Sequence, residues 1–113
     1  MDDADLHTNL ERAARLVNLG HHAAAIALLR GVLAIDPEHA IGHLLLAQCL
    51  LATKRIHAAR HEAGLALALA PELPEAHVVM ASCALAFQKL GAARHHAEQA
   101  LALEPETPGA LLV

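Results

Sequence analysis

Hydrophobic residues in this chain run in blocks that halt at prolines. VLAID stops at Asp36-Pro37-Glu38, LALALA at Ala70-Pro71-Glu72, and LALE at Glu104-Pro105-Glu106. Small and large residues alternate inside the blocks. Ala13, Ala47 and Ala81 mark one set of segments and Ala25, Ala59 and Ala93 the other, with Leu16, Leu28, Leu50, Leu67 and Leu101 around them. Small residues set against large ones let helices pack at close range. The pattern and its breaks predict six helices, over about residues 5–18, 22–35, 39–53, 56–69, 74–88 and 91–103. Asp2, Asp3 and Asp5 lie where the positive end of the first helix favours carboxylates. Gly20 suits the first turn, Pro37 cannot continue a helix, and Pro74 suits a first helical residue. The linkers are short, so consecutive helices are expected to be antiparallel neighbours.

The prolines at 37, 71 and 105 are spaced 34 residues apart. The same register aligns His43 with His77, Cys49 with Cys83, and Arg60-His61 with Arg94-His95. Residues 40–73 and 74–107 match at 16 of 34 positions without a gap. Each period holds two helices, and such a unit cannot bury its apolar face alone.

With that period and helix–turn–helix unit, the chain resembles the tetratricopeptide repeat family. Ala13, Ala47 and Ala81 fall at the family's eighth place and Gly20 at its fifteenth. Ala25, Ala59 and Ala93 fall at the twentieth, Val32, Ala66 and Ala100 at the twenty-seventh, and Pro37, Pro71 and Pro105 at the thirty-second. The resemblance implies an all-α fold, a right-handed α-solenoid of three tandem repeats in one domain, at about residues 6–39, 40–73 and 74–107. Pro108 to Val113 align with Pro74 to Val79, so ETPGALLV reads as the truncated start of a further repeat, and the chain as a fragment of a longer protein. The sequence departs from the family at its fourth place, held here by Asn9, His43 and His77 where Trp is frequent. At the eleventh, Leu16, Leu50 and Ala84 replace a frequent Tyr. An aliphatic, less rigid array is expected.

Composition narrows the function classes. The chain has 113 residues, 56% of them apolar, with one Phe and no Tyr or Trp. That excludes a disordered tail. A formal charge of -4 argues against a nucleic-acid surface, which needs a clustered basic face. Protonating all ten His would take the charge from -4 to +6, so association should vary between about pH 5 and 7. The acidic start has no secretory n-region, and no apolar run reaches the roughly 18 residues of a membrane span. A cytoplasmic protein is expected, and richness in Ala, Leu, Arg and His suggests a bacterial one.

Catalytic constellations are missing from the pattern. There is no Gly-rich phosphate loop and no GxSxG, and Ser82 is the only Ser. His61-Glu62 is followed by Ala63-Gly64-Leu65, so HExxH is absent. Neither an enzyme nor a cofactor is expected. His57 and His61 are four apart on one helix, and His95 is the equivalent of His61. They read as solvated surface His, capable of adventitious metal capture at most. His43 and His77 read as packed, hydrogen-bonded imidazoles; if buried, they should make the array looser in acid. Cys49 and Cys83 lie a helix-to-helix distance of about 10 Å apart in neighbouring repeats, too far for a disulfide.

The resemblance also implies a concave groove lined by the first helix of each repeat. Repeat one would contribute His7, Leu10, Ala14, Val17 and Asn18. Repeat two would contribute Ile41, Leu44, Gln48 and Leu51, and repeat three Glu75, Val78, Ser82 and Leu85. A well-known family mode clamps a peptide's terminal carboxylate with cations and an amide. Those places hold Leu10, Ala14, Leu45, Glu75 and Val79, so no clamp is expected. The reading is a scaffold that binds a largely apolar peptide or helix. Alternatives are an accessory N-terminal array of a larger bacterial glycosyltransferase- or sulfotransferase-like enzyme, and a self-association module.

Overall fold

The computed structural model describes residues 2–103. It contains six helices: α1 (Asp3–Asn18), α2 (His22–Ile35), α3 (Ala40–Ala52), α4 (Ile56–Leu69), α5 (Pro74–Ala86) and α6 (Leu90–Leu103). The expected fourth-repeat start at 108–113 lies outside the described residues. All six predicted helices are present, and their ends shift for local reasons. Asp2 caps α1: its carboxylate accepts from the Asp5 N–H at 2.9 Å, which starts the helix two residues early. His39 lies outside α3 because its Nδ1 accepts from the Gly42 N–H at 3.0 Å, as an N-cap does.

The turns after α1, α3 and α5 share one design. Gly20, Lys54 and Gln88, each 34 residues from the next, have φ of 80°, 66° and 59°. Each turn closes with the paired backbone bonds of a Schellman motif: His21 to Leu16, Arg55 to Leu50 and Lys89 to Ala84. Only the first uses the residue that adopts this conformation without strain. The left-handed residue also ends α3 and α5 short of the predicted 53 and 88.

Consecutive helices pack in order. In addition, the backbone of α1 runs close to α3 and that of α3 close to α5, whereas the backbones of α2, α4 and α6 stay apart from one another. The first helices of the pairs therefore form an inner row and the second helices splay apart outside. The body is elongated, 42 × 25 × 21 Å. Ala13, Ala25, Ala47, Ala59, Ala81 and Ala93 are all buried, and Leu29, Leu46 and Leu50 fill the space between helices. Cys49 and Cys83 are buried free thiols, and burial pushes both up from the ordinary range.

The two histidines that replace the family's aromatic behave differently. In both repeats the ring reaches back to the proline that ends the preceding repeat. His43 Nε2 lies 2.7 Å from the Pro37 carbonyl, and its Nδ1 lies 2.6 Å from Glu62 Oε2. Both nitrogens of His43 therefore face oxygens, one of them a carboxylate's. His77 Nε2 lies 3.1 Å from the Pro71 carbonyl, but its Nδ1 meets His96 Nδ1 at 3.3 Å. His96 stands where the repeat before has Glu62. One proton fits between two nitrogens; a second turns the contact repulsive. Burial first, then His77 and His95 beside it and Arg60 from α4, hold His96 below the ordinary imidazole value. His43 is thus buried against a carboxylate, and His77 is half-buried against a second imidazole.

Two predictions follow from these contacts. Lys54→Gly and Gln88→Gly should each stabilise the fold by about 0.5–1 kcal/mol in urea unfolding, by relieving left-handed strain; an unchanged midpoint would refute the strain argument. For His96, the lowered value means that the fold favours the neutral ring. Its contribution is complete above the unfolded value of about 6.5 and is lost as pH falls through the folded one. Amide exchange should therefore show α5 and α6 losing protection in acid before α3 and α4. His96→Glu, which copies the pairing of repeat two, should suppress that loss. An equal acid response in the variant would exclude the imidazole pair as its cause.

Candidate functional site

The inner row of α1, α3 and α5 leaves one face of each helix uncovered. At about 100° per residue, positions 75, 78, 82 and 85 fall within one arc of α5, and their equivalents fall in the same arc of α1 and α3. Ile41 and Leu85 are 39% and 42% exposed there. Leu10, Ala14, Val17, Gln48, Leu51, Val78 and Ser82 are half-buried. His7, Asn18 and Glu75 are exposed and form the polar margin; His7 Nε2 lies 2.9 Å from Glu11.

Leu44 is the exception among the thirteen residues, at 5% exposure and within the core. Its equivalents Leu10 and Val78 keep some surface because their helices end the inner row. The central helix α3 is flanked on both sides, by α1 and α5 as well as α2 and α4. Register alone treats the three positions alike, and neighbour number separates them. Leu10, Val17 and Leu51 also pack against the core and present only an edge.

The groove's electrostatics follow from its residue types. Of the five positions that a carboxylate clamp would use, Leu10, Ala14 and Leu45 are half-buried, Glu75 is exposed and acidic, and Val79 is buried. No Lys or Arg occurs in α3 or α5.

A second concavity lies behind the array, and sequence reasoning passed over it. A hollow of about 420 Å³ opens between α4 and α5, lined by His57, Arg60, His61, Gly64, Leu65 and Met80. Beside it a smaller one, of about 50 Å³, reaches α6 and is lined by Arg60, Met80, Phe87, Lys89 and His96 among others. The His57 and Phe87 rings stack with centroids 4.6 Å apart. Phe87 is the chain's sole aromatic residue, and that singularity was the available signal. His95 lies on α6 with its ring edge toward His96, 5.4 Å away. Among the described residues no three potential metal ligands converge at His57, His61, His95 or elsewhere, and no described helix is long and apolar enough to cross a membrane.

Comparison with known proteins follows the same lines. No curated protein matches the chain. The first tetratricopeptide domain of RPAP3 (Spaghetti), bound to the HSP90 peptide SRMEEVD, is similar at 23% identity with a TM-score of 0.89, over 99% of this chain and 89% of that one. The Yersinia enterocolitica type III secretion chaperone SycD, in complex with a peptide of the translocator YopD, is similar at 19% identity and a TM-score of 0.84, over 95% and 82%. The second such domain of human RPAP3, in complex with the HSP70 peptide SGPTIEEVD, gives 21% and 0.81, over 95% and 92%. These likenesses establish the fold. A family model for the tetratricopeptide repeat matches residues 16–83, and with six helices in a 34-residue register the chain belongs to the tetratricopeptide repeat family.

Proposed function

We propose that this protein is a non-catalytic binding module that takes a largely apolar peptide or amphipathic helix along α1, α3 and α5. The observation that carries this reading is the aliphatic row Ile41, Leu51, Val78 and Leu85 left at the surface of the inner helices. A helix laid on such a row buries its own apolar stripe and removes these side chains from water, at roughly 25 cal/mol per Å². Similar folds in RPAP3 and SycD have been solved with bound peptides, which supports the class of ligand.

Selection here would rest on apolar side chains rather than on a terminal carboxylate. RPAP3 accepts peptides ending in EEVD, but the corresponding places in this chain offer no cation to pair with that terminus. Gln48 and Ser82 would orient the peptide backbone, and His7, Asn18 and Glu75 would frame the rim.

The test is fluorescence anisotropy with two labelled probes: an amphipathic leucine-rich helix with an amidated end, and SRMEEVD with a free end. The helix should bind and SRMEEVD should not. Ile41→Asp and Leu85→Asp, both at exposed positions, should each weaken helix binding by about tenfold, the equivalent of one lost apolar anchor. Binding of SRMEEVD that disappears on amidation would overturn the reading. A dimer in light scattering that Leu85→Asp dissolves would assign the groove to a second copy of this chain.

A further inference from the structure

The back of the array carries a surface that the inner groove does not explain. Met80 on α5 and Phe87, its C-cap, point away from Val78 and Leu85 by roughly half a turn at about 100° per residue. Met80 lines both parts of the cleft and Phe87 the part between the separated backbones of α4 and α6. Arg60, His57 and His61 stand on the α4 side; Lys89 and His96 stand on the α6 side. The chain as a whole is acidic, at -4 with twelve Asp and Glu, yet among the described residues no carboxylate lines either part of the cleft. Burial first, then His77, His95 and Arg60, hold His96 below the ordinary imidazole value.

This surface is not a by-product of the repeat. Moving back 34 residues turns Arg60 into Ile26, Met80 into Leu46 and His96 into Glu62. Ile26 and Leu46 are buried there, so the equivalent place between α2 and α4 is packed with aliphatic side chains and bears an acid. Only the later pair combines an open cleft, an aromatic wall and cations.

We infer that the cleft between α4 and α6 is a second docking site, for an acidic peptide segment carrying apolar anchor residues. Arg60 and Lys89 pair with its carboxylates. Leu65 and Met80 line the cleft's larger part, of about 420 Å³ between α4 and α5, and Phe87 its smaller part toward α6; these walls receive the peptide's aliphatic side chains. Charge complementarity selects the occupant. Two permanent cations are too few to follow a phosphate backbone, which takes an extended basic face, and the apolar walls suit side chains.

The test is an NMR titration of the full chain with the amidated peptide Asp-Leu-Glu-Glu-Leu-Asp, and with Lys-Leu-Lys-Lys-Leu-Lys as its control. The acidic probe should give saturable amide shifts at Met80, Phe87 and Lys89 and none at Ile41 or Val78. Its affinity should fall by about threefold or more from low to physiological salt, as screening requires. Arg60→Glu and Lys89→Glu, both at exposed positions, should each weaken it by about fivefold, with helical circular dichroism unchanged. Shifts confined to Ile41 and Val78 would place the peptide in the inner groove and overturn the inference. So would the absence of saturable shifts, equal binding of the lysine peptide, indifference to both charge reversals, or tighter binding of oligothymidylate. Because the two surfaces lie on opposite sides of α5, failure here leaves the test of the inner groove untouched.

Discussion

Close approach between the two helices of each pair is the constraint on which this structure depends. Ala13, Ala25, Ala47, Ala59, Ala81 and Ala93 are all buried, and any larger side chain at these places would hold the helices apart. Gly42 shows the same limit between α2 and α3, where an added Cβ would meet Leu33 at 3.0 Å. With little aromatic volume available, closeness does the packing. Leu29, Leu46 and Leu50 then reach across the short gaps and exclude water.

That closeness produces both candidate surfaces. Inner helices in contact with one another form a continuous row, and their uncovered sides make an apolar face. Outer helices, pushed apart by the same geometry, leave clefts. Whether a cleft stays open depends on what fills it. Ile26 and Leu46 close the place between α2 and α4, whereas Arg60 and Met80 leave the next one accessible. The family's repeat thus generates two classes of surface, and individual residues decide which of them is available.

The repeats are close copies of one another, so single differences between them carry information. Glu62 against His96 separates a histidine that meets a carboxylate from one that meets a second imidazole. Gly20 against Lys54 and Gln88 separates an unstrained turn from two strained ones. Both differences concern the joint between a repeat's two helices or between neighbouring repeats. The last described repeat combines the less favourable choice in each case.

Much of this was legible in the chain itself. Periodicity determined the number of helices, their pairing and the register, because a 34-residue repeat with prolines at fixed places admits few other arrangements. Burial of Ala13, Ala47 and Cys49 also followed from register, since equivalent positions meet equivalent neighbours. Where neighbours differ, register was silent. Leu44 could not be told from Leu10 or Val78 until α3 was seen enclosed on both sides. The partners of His43 and His77 lie 19 residues away on the next helix, and only a folded chain shows that one meets a carboxylate and the other an imidazole. The cleft beside Phe87 exists because the backbones of α4 and α6 stand apart, and separation between helices distant in sequence is a property of tertiary packing that no local pattern encodes.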